Sequence, residues 1–214
     1  MKHIAALIAA GSFAVASSAF AGEYEITVTN LTRGQSFTPI LVATHKPGVT
    51  LFSEGQPASP ELAAMAEGGD TGPLTGLLQA NSRVYNVTTI PGRLAPGASV
   101  TVRVDMDDDY NRLTLGAMLI PTNDGFFAFE EVRGPGRRNM VSYESPAYDA
   151  GSEPNDEQCV NIPGPVCGGA GGSPDTGGEG YVHIHAGIHG IGDLVAADRD
   201  WRNPVAKVVI KRVD

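Results

Sequence analysis

An antiparallel β-sandwich with one or two short helices is the fold class this sequence predicts, and three observations predict it. Many short stretches alternate apolar and polar residues with period two. Helical patterning is confined to one short region, residues 60–79. The breaks between strands are rich in turn formers, with 27 Gly and 15 Pro in 214 residues. Short half-buried strands joined by turns build sandwiches, whereas parallel sheets need strands alternating with crossover helices. No internal repeat and no second domain is visible.

The first 21 residues stand apart from this pattern. Lys2 and His3 precede an apolar run over residues 4–15, and Ala19-Phe20-Ala21 supplies small residues flanking a cleavage point. This reads as a secretory signal cut after Ala21, with residues 22–214 as the mature domain. The apolar run is too short for a membrane span, and no later segment is longer. Losing Lys2 takes the formal charge from −9 to −10. So acidic a surface argues against nucleic acid as partner and is compatible with divalent cations.

Residues 23–29 open the sandwich, with Tyr24, Ile26 and Val28 on one face and Glu25, Thr27 and Thr29 on the other. Residues 37–43 read as a strand interrupted by Pro39. Ser59 caps a helix over 60–67 that starts on Pro60 and stops at Gly68-Gly69, and 74–79 adds a second short helix. Residues 83–90 and 99–106 alternate again, the second with Val100, Val102 and Val104 inward. The run Asp105 to Asp109 is read as a solvated hairpin turn rather than an ion site. Residues 113–119 are a largely apolar stretch expected to form a buried strand, and 126–132 follow as a further strand. Residues 133–139 form a basic Gly/Pro loop, and 168–180 are Gly-rich and expected to be mobile. Residues 181–185 and 205–213 close the sheet. Trp201 is expected to anchor the core at the entrance of the last strand.

Between these strands lies the stretch Ala147-Tyr148-Asp149-Ala150-Gly151-Ser152-Glu153-Pro154-Asn155-Asp156-Glu157, which has no hydrophobic period of either kind. Carboxylates gathered in one loop repel one another unless a cation sits among them. Asp149 and Glu153 flank Gly151, which lets the backbone turn so that both face one centre. The turn Pro121-Thr122-Asn123-Asp124-Gly125 offers a further carboxylate and an amide oxygen. Hard oxygen donors without nearby Cys point to calcium. Cys159 and Cys167, the only cysteines, are expected to form a disulfide closing a small loop. His183 and His185, two apart in a strand, share a face and form a second metal candidate, with His189 or His45 as third ligand.

The order of these motifs resembles a known family. Asn30-Leu31-Thr32-Arg33-Gly34-Gln35-Ser36-Phe37-Thr38-Pro39 with His45-Lys46, the Tyr-Asp-Ala-Gly-Ser-Glu of residues 148–153, and Asp200-Trp201-Arg202-Asn203-Pro204-Val205 are similar to bacterial spondin-domain proteins. These are related to the spondin domain of F-spondin and mindin, animal matrix and cell-adhesion proteins. The resemblance implies a calcium-binding β-sandwich similar to calcium-dependent membrane-binding modules. It places the calcium carboxylates at Asp124, Asp149 and Glu153, with Glu153 where the animal motif has Asp.

No Gly-x-Ser-x-Gly is present, and Ser142, Ser145 and Ser152 lack a nucleophile-elbow setting, so no enzyme is expected. The function expected is that of a secreted, calcium-binding recognition or adhesion module in the periplasm or outside the cell. Its partner would be a surface, a matrix component or a protein. The competing classes are a metal-dependent enzyme or transition-metal protein using His183, His185 and His189, and a structural matrix component.

Overall fold

The computed structural model describes residues 22–136, 139–172 and 177–213. The expected signal segment, residues 1–21, lies outside them. The chain begins with strands β1 (Gly22–Asn30), β2 (Ser36–Phe37) and β3 (Ile40–His45), then helices α1 (Pro60–Gly68) and α2 (Gly72–Gln79). There follow β4 (Val84–Ile90), β5 (Ser99–Met106), β6 (Arg112–Ile120), β7 (Gly125–Arg133), β8 (Met140–Ser145) and β9 (Ala147–Asp149). After long loops come β10 (His183–Ile184), the one-turn α3 (Ala196–Arg199) and β11 (Ala206–Arg212).

All strand pairs described are antiparallel, and they form two sheets. The smaller runs β5-β1-β11-β8; the larger runs β10-β9-β7-β6-β3-β4, with β2 joined to β6. The predicted sandwich is the fold.

Alternation decides which face each strand buries. On β1, Tyr24, Ile26 and Val28 are buried, while on β11 Ala206, Val208 and Ile210 take that role. They pack on Phe37, Val42, Leu113, Leu115, Phe127 and Phe129 of the larger sheet. Phe127 sits at the middle, its ring centroid 4.3 Å from that of Phe37 and 6.1 Å from that of Phe129.

The outer face of the larger sheet is not wet. Helices α1 and α2 lie on it, so Leu41, Ala43, Phe126 and Ala128 pack on Leu62, Met65, Leu74 and Leu78. This third layer explains why β6, apolar but for Thr114 after its first residue, is buried on both faces. Ser59 caps α1 as expected, accepting from the Leu62 N–H at 3.2 Å, and Gly69 ends it in the left-handed conformation.

Several elements differ from the sequence expectation. β8 was not foreseen: it is an edge strand whose inward side chains, Val141 and Tyr143, are only partly buried, so its alternation is weak. The strand expected over 181–185 is reduced to His183–Ile184, because Val182 exchanges hydrogen bonds with Gly55 and Gln56 instead. In the Gly-rich segment, Gly168, Gly169 and Ala170 donate to Gly164, Ile162 and Val160, so that part is tied down.

A further difference is a bulge. Leu113 faces Val132 and Leu115 faces Phe129, so Thr114 stands opposite both Glu130 and Glu131. Glu130 keeps the face of Phe126 and Ala128, the one covered by the helices, and one of its oxygens accepts the Leu51 N–H at 2.9 Å. Burial, ahead of all other influences, pushes the Glu130 carboxyl up to about 7 from an ordinary 4.5. A carboxyl raised by folding contributes most below its unfolded value, and that contribution is lost as pH rises through about 7. Glu130→Gln, which keeps an acceptor for Leu51, is therefore expected to gain stability relative to wild type as pH goes from 5 to 8. Urea unfolding at the two pH values checks this, and parallel pH profiles would contradict it.

Candidate metal centre

β7 and β9 pair so that Gly125 lies opposite Asp149, which brings the turn before β7 against the loop after β9. Asp124, Asp149 and Glu153 are all buried at this junction. Asp124 Oδ2 accepts the main-chain N–H of Ser152 at 2.8 Å and of Glu153 at 3.0 Å. The Ala150 N–H donates to the Asp124 carbonyl at 3.2 Å, closing the contact from the other side. Asp149 Oδ1 accepts the Gly151 N–H at 2.8 Å, and its Oδ2 accepts from Asn155 Nδ2 at 2.6 Å.

Gly151 makes the turn possible. Its φ is +65°, and a Cβ there would run into the main chain of Tyr181.

The electrostatics of this junction are one-sided. Asp124 Oδ1 is buried and has no hydrogen-bond partner. Neither Asp124 nor Asp149 forms an ion pair with Lys or Arg among the described residues. Burial first, and the neighbouring Asp149 carboxylate second, push the Asp124 carboxyl up to about 7 from 3.8. Two neighbouring buried carboxylates, one with an oxygen unengaged, concentrate negative charge that a bound cation would neutralise.

The acidic stretch thus divides in two. Asp156 accepts from Asn123 Nδ2 at 2.9 Å and Asn161 Nδ2 at 2.6 Å, so it is consumed in holding loops. Glu157 accepts the N–H groups of His189, Gly190 and Ile191 at 2.6, 2.7 and 3.0 Å. The amide oxygen of Asn123, offered by the sequence as a ligand, instead accepts the Glu157 N–H at 3.2 Å.

The histidines separate as well. His183 and His185 both face Asp149, with Nε2 atoms 3.6 Å from Oδ1 and 3.9 Å from Oδ2 respectively. His185 is held neutral, its pKa lowered to about 4 by burial first and by His183 next. Its Nδ1 accepts the Gly187 N–H at 2.9 Å, so the proton resides on Nε2. Its ring packs edge-on to buried Trp201, centroids 4.9 Å apart, which gives Trp201 the anchoring place expected of it. His189 lies on the rim of a cleft of about 190 Å³ that His183 and His185 also line. His45 is elsewhere, buried on β3 between the Lys46 carbonyl and Thr114 Oγ1, at 2.7 and 2.8 Å.

Glu179 was missed by the sequence reading, hidden in a Gly-rich segment. One oxygen of Glu179, one of Asp149 and a ring nitrogen of His183 all lie within 4.8 Å of one another, a grouping that could hold a metal ion.

Asp107 Oδ1 accepts the N–H groups of Asp109 and Tyr110 at 2.8 and 2.7 Å, as expected of a hairpin turn. Cys159 and Cys167 form the expected disulfide.

The Spondin_N family profile matches residues 17–133, more than half of the chain. The chain belongs to the Spondin_N family. The matched stretch of this Spondin_N chain includes Asp124 and ends ahead of Asp149, Glu153 and Glu179. No curated protein matches the sequence. Family membership and the disulfide both point to an extracellular setting. Among the described residues, no helix is long and apolar enough to cross a membrane.

Proposed function

We propose that this Spondin_N protein is a secreted recognition module whose loop end is organised by calcium held between Asp124, Asp149 and Glu153. The observation that carries the reading is the buried Asp124 oxygen without a partner, next to the Asp149 carboxylate. The donors are carboxylates, hard oxygens of the kind calcium prefers, and water and main-chain carbonyls would complete its six to eight ligands. Calcium would neutralise the pair and tie the turn before β7 to the loop after β9.

Recognition is supported by what surrounds the site. Tyr181, Ile184, Ile191 and Val195 are exposed apolar side chains on the loops that Glu157 and Asp149 hold in place. A fixed loop end with exposed apolar groups suits docking to a protein, a matrix component or a surface. The expected leader, residues 1–21, accords with export.

The test is thermal unfolding of residues 22–214 in EGTA and then in millimolar calcium, beside Asp149→Asn. Wild type is expected to gain in midpoint with calcium, and the variant is not. A wild-type protein verified as calcium-free whose midpoint ignores added calcium would sink the reading.

A further inference from the structure

We infer that Asp149, Glu179 and His183 form a second metal site, distinct from the calcium centre, built for a first-row divalent ion such as zinc. His183 sits on β10 with Nδ1 3.0 Å from the Ile184 carbonyl. A carbonyl only accepts, so Nδ1 carries the proton and the Nε2 lone pair is exposed to a ligand. A main-chain carbonyl fixing the distal nitrogen in this way is the usual support of a metal-bound imidazole. That Nε2 is buried and makes no hydrogen bond, and the lone pair it carries in the neutral imidazole is what a metal would take in place of a proton.

What it faces is two carboxylates. Asp149 Oδ1 is 3.6 Å away and Glu179 Oε2 is 3.7 Å away. A lone pair turned toward two anions is unfavourable with nothing between them, and both separations exceed hydrogen-bond length. They match the spacing of ligands around a tetrahedral ion, since bonds of about 2.0–2.2 Å put ligand atoms roughly 3.3–3.6 Å apart. One nitrogen and two carboxylate oxygens suit zinc or its first-row neighbours better than calcium, which takes oxygen alone.

A second, independent observation points into the same place. His185, with its side chain 2% exposed, aims an Nε2 that lacks any hydrogen bond at the other oxygen of Asp149, 3.9 Å away. Its proton is on that nitrogen, so it is not a ligand but a positioning residue for the shared carboxylate. The cleft of about 190 Å³ beside Glu179 and His183 leaves room for water in a fourth position. Asp149 would then bridge two ions of different character.

Equilibrium dialysis of the chelator-stripped mature protein against zinc, in the presence of millimolar calcium, tests this. About one zinc per chain is expected in wild type. His183→Ala and Glu179→Gln should each weaken zinc retention at least roughly tenfold. Both should keep the calcium-dependent rise in melting midpoint, which also shows them folded. His189→Ala, on the rim, should retain zinc as wild type does. Failure of wild type to retain zinc, or retention by His183→Ala equal to wild type, would overturn the second site. Zinc lost in Asp124→Asn but kept in His183→Ala would mean that zinc merely occupies the calcium centre, and would overturn it too. Zinc retained through His183 by a protein indifferent to calcium would refute the calcium reading and leave this one standing.

Discussion

Asp124→Asn is expected to make the metal-free protein more stable and blind to calcium. In the absence of an ion, burial and the Asp149 charge hold the Asp124 carboxyl near 7 rather than 3.8. A carboxyl raised in this way supports the fold fully below its unfolded value, and that support is lost as pH rises through about 7. At pH 8 the ionised group therefore costs on the order of 4 kcal/mol, since every tenfold change in proton affinity corresponds to about 1.4 kcal/mol. The amide keeps an oxygen for the Ser152 and Glu153 N–H groups and turns its NH2 toward the Asp149 carboxylate. In EGTA the variant should melt roughly 5–10 °C above wild type at pH 8, with the gap closing toward pH 5. Calcium should raise the wild type and leave the variant unmoved. A variant that is less stable than wild type in EGTA at pH 8, or that still responds to calcium, would refute this account of the site.

The second large effect concerns the Cys159–Cys167 disulfide, whose two cysteines are 8 residues apart in sequence. Closing a loop of that length stabilises by about 2–3 kcal/mol through the unfolded chain. The loop is also seated: Ile162 is fully buried in the sandwich core, and the Cys159 N–H donates to Asp193 Oδ2 at 2.9 Å. The double variant Cys159→Ser, Cys167→Ser should lose roughly 5–10 °C in melting midpoint. The same loss should appear on treating wild type with reductant, and proteolysis should begin within residues 158–170. A midpoint unchanged in the double variant would mean that Ile162 and Asp193 hold the loop unaided.

Much of this was legible in the sequence, and the reasons are specific. β1 and β11 alternate without interruption because each has one face in the core and one in water. The helix over residues 60–68 announced both its ends, with Ser59 and Pro60 at one and Gly69 at the other. The carboxylates proposed to hold calcium stood out because Asp149 and Glu153 flank Gly151, whose turn aims both at one centre. β8 was harder, since an edge strand half in solvent needs little apolar character. Glu130 was invisible, because a carboxylate at the end of a strand reads as solvent-facing, and only the segment around Leu51 covers it. Glu179 could not be found by spacing: its neighbours are glycines, and only the pairing of β10 with β9 sets it against Asp149. Asp156 and Glu157 looked identical to Asp149 and Glu153 by composition. What sets Asp156 and Glu157 aside is that donors from distant loops fill their oxygens, whereas Asp124, which Asp149 faces, keeps one buried oxygen unengaged.

The carboxylates proposed to hold metal come from residues 124, 149–153 and 179, joined by the pairing of β7, β9 and β10. The unfolded chain therefore holds no contiguous chelating loop of the kind in which one segment supplies every ligand. An ion meets its ligands only after long chain closures are complete, so it cannot start folding. It acts instead on the reverse rate, slowing the escape of molecules already assembled. On the proposed sites, metal capture would be a final inspection: chains with misplaced strands would find no ion and stay easy to open.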